Sequence, residues 1–215
     1  EYFQPFLITM HGIETGLFTG YYEPLLDGSR FPSEEYKYPL YKRPRDLVSV
    51  NVDAFGPTKN IGKIYGRLKG SELIPYYKRS EIEKGALDGQ GLELFWVKSL
   101  VDAFFLHIQG SGRLRLPDGN FVRVGYAGKN GRIYTSIGRE LIKLGFLDRQ
   151  TTTMQSIRRW LDENPDRAIS LMRRNKSYVF FRDLGKGELI GALGVGLVPG
   201  RSIAVDKSLI PLGIP

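Results

Sequence analysis

The stretch DAFFLHIQGSGRLRLPDGNFVRVGYAGKNGRIYTSIG, residues 102–138, organises the rest of this 215-residue chain. It opens with an apolar run at 103–108, passes through QGSG at 109–112, forms a basic hairpin and ends in a glycine-rich segment at 125–131. A buried run that opens into glycines flanked by amides, hydroxyls and aromatic rings presents polar groups to a polyhydroxylated ligand. The stretch is therefore a candidate recognition surface.

An ordinary structural role explains the same glycines. The pair at 110–112 lets the chain turn, and the Asp-Gly dipeptide at 118–119 is a common hairpin turn. Residues 128–131 make a second turn with Asn130 or Gly131 at positive φ. Residue chemistry alone leaves both interpretations open.

The composition provides for a packed core and a positive charge. Hydrophobic residues make up 41% and aromatic residues 12% of the chain, which is ample for a core. Lys and Arg total 31 against 23 Asp and Glu, so the net charge is +8. This balance favours an anionic partner such as nucleic acid, an acidic membrane face or an acidic polysaccharide. Because the charges are scattered rather than clustered, we do not expect nucleic acid.

The lack of cysteine and the scarcity of histidine limit the kinds of catalytic and metal sites that the chain can form. The chain has no cysteine and only two histidines, His11 and His107. Cysteine nucleophiles, disulfides and thiolate metal sites are thereby excluded, and a histidine-rich zinc site is not expected. We expect neither a metal nor a cofactor. No apolar run approaches the roughly 20 residues that span a bilayer.

The chain up to Pro24 reads as strand-rich. Residues 17–22 are apolar and aromatic around a central glycine, which in a strand often marks a bulge or a close approach by a ligand. Thr19, Tyr21 and Tyr22 are therefore candidate site residues, although packed strand aromatics are the commoner case.

Short elements are predicted for the middle of the chain. Prolines and tyrosines over 25–69 favour short strands. A capping box with Ser80 as its N-cap predicts a helix to about Leu87, and 92–98 returns to strand character.

A two-stranded ribbon follows on either side of the turn at 118–119. Leu114 and Leu116 are predicted to face Val122 and Val124 across it. The other face of the ribbon is predicted to carry Arg113, Arg115 and Arg123.

The last third changes from helical to β character. Apolar periodicity predicts three short helices, one from Ile137 to Leu144, one around 157–161 and one that starts at Pro165. Residues 177–181 are a β run. The glycines of 189–206 do not fit the spacing of a nucleotide loop and predict tight, barrel-like strands.

Five motifs, in sequence order, resemble the membrane-bound lytic transglycosylase A family of bacterial murein-cleaving enzymes. They are FTGYYEP at 18–24, IQGSG at 108–112, YAGKNG at 126–131 with the following Tyr134, Ser136, Ile137 and Gly138, MQSIR at 154–158, and the stretch at 175–181. The resemblance covers nearly the whole chain.

The resemblance implies a mainly β fold with a few short helices. Residues 1–24 and 186–215 would be parts of a double-psi β-barrel catalytic domain, which is incomplete here. Residues 25–185 would be an inserted, β-rich substrate-binding domain, with a saccharide groove between the two.

The implied activity is that of a peptidoglycan lytic exotransglycosylase. It would cleave the β-1,4 bond between N-acetylmuramic acid and N-acetylglucosamine and form 1,6-anhydromuramic acid, with a single Asp as acid and base. Asp206 resembles the first of three barrel aspartates and would support catalysis, while the general acid is expected beyond Pro215. The expected substrate-binding residues are Thr19, Gly20, Tyr21, Gln109, Gly110, Ser111, Tyr126, Ala127, Gly128 and Lys129.

The resemblance also implies a setting, and other functions stay open beside it. We expect a periplasmic monomer at the outer membrane that acts on glycan strands, with any lipid anchor upstream of Glu1.

A non-catalytic saccharide-binding module fits the same surface. A hydrolytic glycosidase would use Asp102 or Glu93; Asp102 lies beside the recognition stretch, where the structural interpretation is a turn aspartate at the start of a strand.

Overall fold

The computed structural model describes residues 23–56, 62–187, 190–191, 193–198 and 200–203. These residues form nine β-strands and five short α-helices, so the predicted fold class, mainly β with a few short helices, is confirmed for them. None of these helices has the length and apolar character needed to cross a bilayer.

Two compact units divide the chain. The larger unit, residues 23–185, contains every helix and named strand that the structure describes. The smaller unit combines 1–22 with 186–215; in its described part, Ile190 and Gly196 form an antiparallel bridge. The barrel-like strands predicted for the C-terminal glycines lie partly outside the described residues.

The elements are short and alternate along the chain. The strands are β1 Leu25–Ser29, β2 Tyr38–Tyr41, β3 Val48–Asn51, β4 Lys63–Lys69, β5 Glu72–Pro75, β6 Glu93–Val97, β7 Gly112–Arg115, β8 Phe121–Lys129 and β9 Val179–Gly185. The helices are α1 Arg79–Ile82, α2 Leu100–Gln109, α3 Ile137–Lys143, α4 Met154–Glu163 and α5 Pro165–Met172, with a 3-10 helix at Val52–Phe55.

Two open sheets contain these strands. The larger sheet has the order β2-β6-β1-β7-β8-β9, in which only β1 and β7 are parallel. The smaller sheet, β3-β4-β5, is antiparallel. The predicted ribbon is confirmed as the β7–β8 hairpin, where Leu114 pairs with Val122 and both side chains are buried.

The apolar run of the central stretch forms a helix, so the strand start predicted at Asp102 is wrong. Helix α2 begins after Ser99, whose hydroxyl accepts the backbone N–H of Asp102 at 3.2 Å. The helix lacks apolar periodicity because both of its sides are covered. Leu106 packs into the core of the larger sheet, and Phe104 packs into the core formed with α3, α4 and α5.

The other helices follow the predicted pattern, except for α1. Helices α3, α4 and α5 confirm the periodicity, and Pro165 is the first residue of α5. Helix α1, in contrast, begins at Arg79, before the predicted N-cap Ser80. The backbone N–H of Lys78 is held by the Glu81 carboxylate at 2.8 Å, and the helix ends at Ile82 rather than near residue 87.

Candidate functional site

The segment Gln109, Gly110 and Ser111 lies at the C-terminus of α2. Gly110 ends the helix with φ 81°, and its N–H donates to the Leu106 carbonyl at 2.8 Å. This left-handed conformation favours glycine. Gly112 is also required by packing, because a Cβ there would lie 2.6 Å from Leu106 Cδ1. These two glycines therefore have a structural role, while the half-buried Gln109 and Ser111 provide the polar groups.

Strand register brings the two predicted motifs to one end of the larger sheet. Gly112, the first residue of β7, pairs with Val124 of β8. The end of α2, which precedes Gly112, therefore lies at the same end of the sheet as residues 125–129. Of the seven predicted binding residues in the described part of the chain, three follow one another at the end of α2 and four lie in the part of β8 that extends past Gly112.

Strand β8 exposes two polar side chains at this end. Tyr126 is 47% exposed and Lys129 is exposed, whereas Ala127 is half-buried and Gly128 is buried. The register with β9 shifts between Tyr126 and Gly128, which adds Ala127 as an extra residue. Such a bulge changes the direction in which neighbouring side chains point.

Arg43 is a residue of this surface that sequence reasoning missed. A Cβ at Gly128 would lie 3.3 Å from Arg43 Cδ, so the glycine leaves room for the arginine to lie against β8. One guanidinium N–H donates to the Leu47 carbonyl at 3.1 Å. Burial and the neighbouring Tyr65 raise the pKa of Tyr126, and Arg43 lowers it. The sequence around Arg43 gives no sign of this position, because it is an ordinary proline-rich connection.

Asn130 holds the loop after β8 through buried hydrogen bonds. Its side chain is fully buried, and its Oδ1 accepts the backbone N–H groups of Tyr178 at 2.9 Å and Arg132 at 3.3 Å. Its Nδ2 donates to the carbonyls of Tyr77 at 2.8 Å and Lys176 at 2.9 Å. Positive φ is found at Gly131, at 73°, as one of the two predicted alternatives.

A buried arginine joins α1, α2 and the segment before β9. Arg79 is 1% exposed; its Nε donates to the Asn175 carbonyl at 3.1 Å and its Nη2 to the Ser177 carbonyl at 2.8 Å. Its Nη1 lies 2.9 Å from His107 Nδ1 and 3.4 Å from a carboxylate oxygen of Glu83. Sequence reasoning missed this network because a lone arginine normally indicates a solvated surface.

His107 is a neutral member of the same network. Since Arg79 donates, His107 Nδ1 is the acceptor and Nε2 carries the proton. The ring lies 4.2 Å from the Tyr178 ring and stacks on Phe181, with 5.4 Å between centroids. Burial holds the pKa of His107 well below 6.5, and the charge of Arg79 lowers it further.

We expect acid to destabilise the fold through His107. The unfolded chain takes up a proton near pH 6.5, while the buried imidazole stays neutral. The contribution is therefore complete above that pH and falls by about 1.4 kcal/mol per pH unit below it. Urea unfolding of wild type and His107→Gln between pH 5 and pH 8 checks this. The wild type should lose stability more steeply below pH 6.5, and parallel curves would contradict the expectation.

Two opposed arginines share one carboxylate across the hairpin. Arg113 and Arg123 are direct cross-strand partners, an arrangement that repels unless it is neutralised. Glu23 accepts a hydrogen bond from Arg123 at 2.9 Å and forms an ion pair with Arg113 at 3.2 Å. Because Arg113 pairs with Arg123 and Leu114 pairs with Val122, the prediction that the arginines lie on the other face of the ribbon is confirmed for this pair. Arg123 is nevertheless only 6% exposed.

The two carboxylates considered for hydrolysis are not arranged as an acid and base pair at this surface. Asp102 lies in the first turn of α2 and is ion-paired with Arg158. It is seven residues from Gln109, about 10 Å along the helix. Asp102 therefore lies at the opposite end of α2 from Gln109. Glu93 opens β6 and pairs with Tyr41 of β2.

Two of the cavities that the described residues form lie on the larger unit. One, of about 460 Å³, is lined by Lys42, Arg43, Arg45, Asp46 and residues 90–92. The other, of about 230 Å³, is mainly apolar and includes Tyr134, Ser136, Ile137 and Gly138 from the third motif. At Gly138 a Cβ would lie 2.8 Å from Ile157 Cδ1, so this glycine allows α3 to approach α4.

The remaining predicted site residues lie outside the described part of the chain. They are Thr19, Gly20, Tyr21, Tyr22 and Asp206. Within the described residues, no group of three or more histidine or acidic side chains could hold a metal ion.

Comparison with known sequences gives a consistent family. The family model described as "MltA specific insert domain" matches residues 17–182. Membrane-bound lytic murein transglycosylase A of Vibrio cholerae is 34% identical over 201 residues, which is 93% of this chain and 48% of that protein. The Escherichia coli protein of the same name is 34% identical over 198 residues, 91% of this chain and 47% of its own length. The chain thus spans about half the length of the curated relatives it matches.

Solved structures agree with these sequences. A membrane-bound lytic murein transglycosylase from Agrobacterium tumefaciens matches with a TM-score of 0.74 and 40% identity, over 88% of this chain and 52% of that one. MltA from Neisseria gonorrhoeae matches with a TM-score of 0.73 and 36% identity, over 84% and 52%. E. coli MltA with bound chitohexaose matches with a TM-score of 0.70 and 32% identity, over 90% and 50%.

Proposed function

This chain belongs to the MltA family of lytic murein transglycosylases, and from that premise we propose that it serves to cleave peptidoglycan strands. The bond cleaved is the β-1,4 bond between N-acetylmuramic acid and N-acetylglucosamine, and the product ends in 1,6-anhydromuramic acid. One observation carries the proposal. The polar end of α2 and the exposed end of β8 lie at the same end of the larger sheet, and both carry motifs of the family.

The proposed domain organisation has an inserted substrate-binding domain, 25–185, between the barrel segments 1–24 and 186–215. The separate compact unit at 23–185 supports it, as does the match to an insert-domain model. The saccharide groove would be shared by the two domains, and the barrel would be of the double-psi type. A periplasmic monomer at the outer membrane, anchored upstream of Glu1, fits relatives that are named membrane-bound.

The proposed mechanism needs one carboxylic acid. That acid protonates the leaving glycosidic oxygen and, as a carboxylate, takes the proton from the muramyl 6-hydroxyl. The oxygen of the 6-hydroxyl then bonds to C1, whose bond to the leaving glycosidic oxygen breaks, and this closes the 1,6-anhydro ring. Ordinary glycosidases use two carboxylates because water or an enzyme nucleophile must also be handled. We propose that Asp206 supports the acid, which lies beyond Pro215 in a protein of the relatives' length.

The described residues would position the sugar. Tyr126 and Lys129 are exposed and offer an O–H and an ammonium group, while Gln109 and Ser111 offer an amide and a hydroxyl from the end of α2. These groups suit N-acetyl and hydroxyl substituents, and Lys129 also suits a lactyl or peptide carboxylate. Chitohexaose, the sugar in the E. coli MltA structure, carries N-acetyl and hydroxyl groups.

A saccharide-binding module without catalysis is the second candidate. It is favoured by the match of residues 17–182 to a model described as an insert domain. A hydrolytic glycosidase is less favoured, because Asp102 is held by Arg158.

Mass spectrometry of the products from purified murein tests the activity. The chain is incubated as it stands and, in parallel, extended at its C-terminus by the native continuation. Anhydromuramyl products from the extended chain alone are expected. Anhydromuramyl products from both would place an acid within these residues and contradict the proposed position. Binding without cleavage by either would favour the binding module.

We also expect Lys129→Ala to weaken binding of chitohexaose by about tenfold, as the loss of one charge-assisted hydrogen bond does. The matched control is Lys143→Ala, which removes an exposed lysine at the end of α3. Isothermal titration of the three proteins with the hexasaccharide gives the comparison. Equal affinities for all three would remove Lys129 from the proposed surface.

A further inference from the structure

Charged side chains make up most of the lining of the cavity of about 460 Å³. Three cationic side chains, Lys42, Arg43 and Arg45, line it together with one carboxylate, Asp46. Within the ranges that the structure describes, none of the three cations forms an ion pair, whereas the arginines of the β7–β8 hairpin are all paired. A concave surface with unneutralised cations attracts an anionic ligand.

The cavity is next to the proposed sugar-binding surface. Lys42 bridges Phe181 in parallel register, and Phe181 pairs with Tyr126 of β8. Neighbouring strands are spaced by about 4.8 Å, so Lys42 is roughly 10 Å from Tyr126 across the sheet. Arg43 belongs to both places, since it lines the cavity and lies against Gly128.

The charges of the cavity suit a peptide better than a phosphate. Asp46 is fixed in place, because the Tyr76 hydroxyl donates to it at 2.8 Å. A fixed carboxylate repels a phosphate dianion, but it accepts the ammonium group of a ligand whose carboxylates bind the cationic side chains. Ligands with both groups include short peptides that contain a diamino acid.

We propose that this cavity binds the carboxylate groups of the peptide attached to muramic acid in peptidoglycan. The inference rests on the proposed function, because the peptide reaches the cavity only when the glycan lies on the α2–β8 surface. Lys42 and Arg45 bind carboxylates, and Asp46 binds an ammonium group. The chain therefore prefers glycan strands that carry peptides to strands that lack them.

Binding of two matched glycans tests this preference. The probes are a murein tetrasaccharide with its stem peptides and the same tetrasaccharide after an amidase has removed them. The wild-type chain should bind the first about tenfold more tightly, the gain of one charge-assisted interaction. The double variant Lys42→Gln and Arg45→Gln should abolish that difference without changing the affinity for the peptide-free glycan.

The control variant is Arg139→Gln, an exposed arginine of α3 far along the chain from the cavity. It should keep the tenfold difference. Circular dichroism of each variant verifies that it is folded, which is expected because Lys42 and Arg45 are exposed.

Several outcomes would overturn the inference. Equal affinity of the wild type for both glycans would do so, and so would an equal loss for both glycans in the double variant. In either case, retained binding of the peptide-free glycan leaves the proposed function intact.

If the wild type binds neither glycan, the proposed function fails, and titration with the free stem peptide decides whether the cavity binds carboxylates. Binding that the double variant loses supports the carboxylate site, and no binding overturns it. If the chain bound both glycans equally but bound phosphatidylglycerol vesicles in a way that required Lys42 and Arg45, the cavity would be assigned to a membrane surface instead.

Discussion

Replacing Arg79 with methionine is expected to lower the free energy of unfolding by about 3–5 kcal/mol, the range for breaking a buried charged network from one side. The side chain is 1% exposed and contacts Glu83, His107 and two backbone carbonyls. Methionine fills much of the volume but donates no hydrogen bond. The carbonyls of Asn175 and Ser177 would then lose their donors, and each lost partner of a buried group adds to the cost.

Chemical denaturation at pH 7.5 measures the Arg79 effect. Arg174→Met is the matched control, because Arg174 also forms an ion pair, with Glu140, but is 47% exposed. Exposed pairs contribute about 0–1 kcal/mol, so the control should remain close to wild type. Arg79→Lys should fall between the two, since it keeps a charge but not the planar fork. A loss below about 1 kcal/mol for Arg79→Met would show that the network does not stabilise the fold.

Replacing Asn130 with alanine is expected to cost about 2–4 kcal/mol of unfolding free energy. Its amide satisfies four backbone groups in the buried junction between the end of β8 and the segments before α1 and β9. Alanine leaves the N–H of Tyr178 and the carbonyls of Tyr77 and Lys176 without that partner. Asn130 therefore determines where the loop that follows Lys129 lies.

An aspartate at position 130 tests the acceptor oxygen of the amide separately from its donor nitrogen. Asn130→Asp keeps the acceptor for the Tyr178 N–H but loses both donors and places a charge against the Tyr77 carbonyl, so it should also destabilise the fold. The control is Asn51→Ala, an exposed asparagine at the end of β3, which should change stability by less than about 0.5 kcal/mol. Thermal unfolding of all three variants checks the order. A near-neutral Asn130→Ala would mean that the junction repacks around the smaller side chain.

The hairpin and the last three helices could be predicted because their signals are local. The β7–β8 pairing follows from alternating Leu and Val around an Asp-Gly turn, and α5 follows from a proline at its first position. The family resemblance has the same basis, since its motifs are contiguous strings of residues. Two of the motif glycines, Gly110 and Gly112, were then found to have structural reasons of their own.

Helix α2 could not be predicted because its environment removes the signal. A helix shows a 3.6-residue period when one side faces water, but α2 lies between the sheet and the three-helix layer. Its residues are apolar on both sides, as in a buried strand. The strand start predicted at Asp102 is wrong for the same reason, since Asp102 lies in the first turn of this helix.

The sequence by itself determined the fold class, most of the short elements and the family, because each depends on residues that are neighbours along the chain. The tertiary structure alone decided which charges are buried and which line a cavity. The partners of Arg79 at positions 107, 175 and 177 are 28, 96 and 98 residues away from it, and no local pattern specifies them. Arg43 likewise reaches the candidate site only because β2, β9 and β8 bring distant segments together. A buried charge is stable only where folding supplies its partners, so its role is set by that packing.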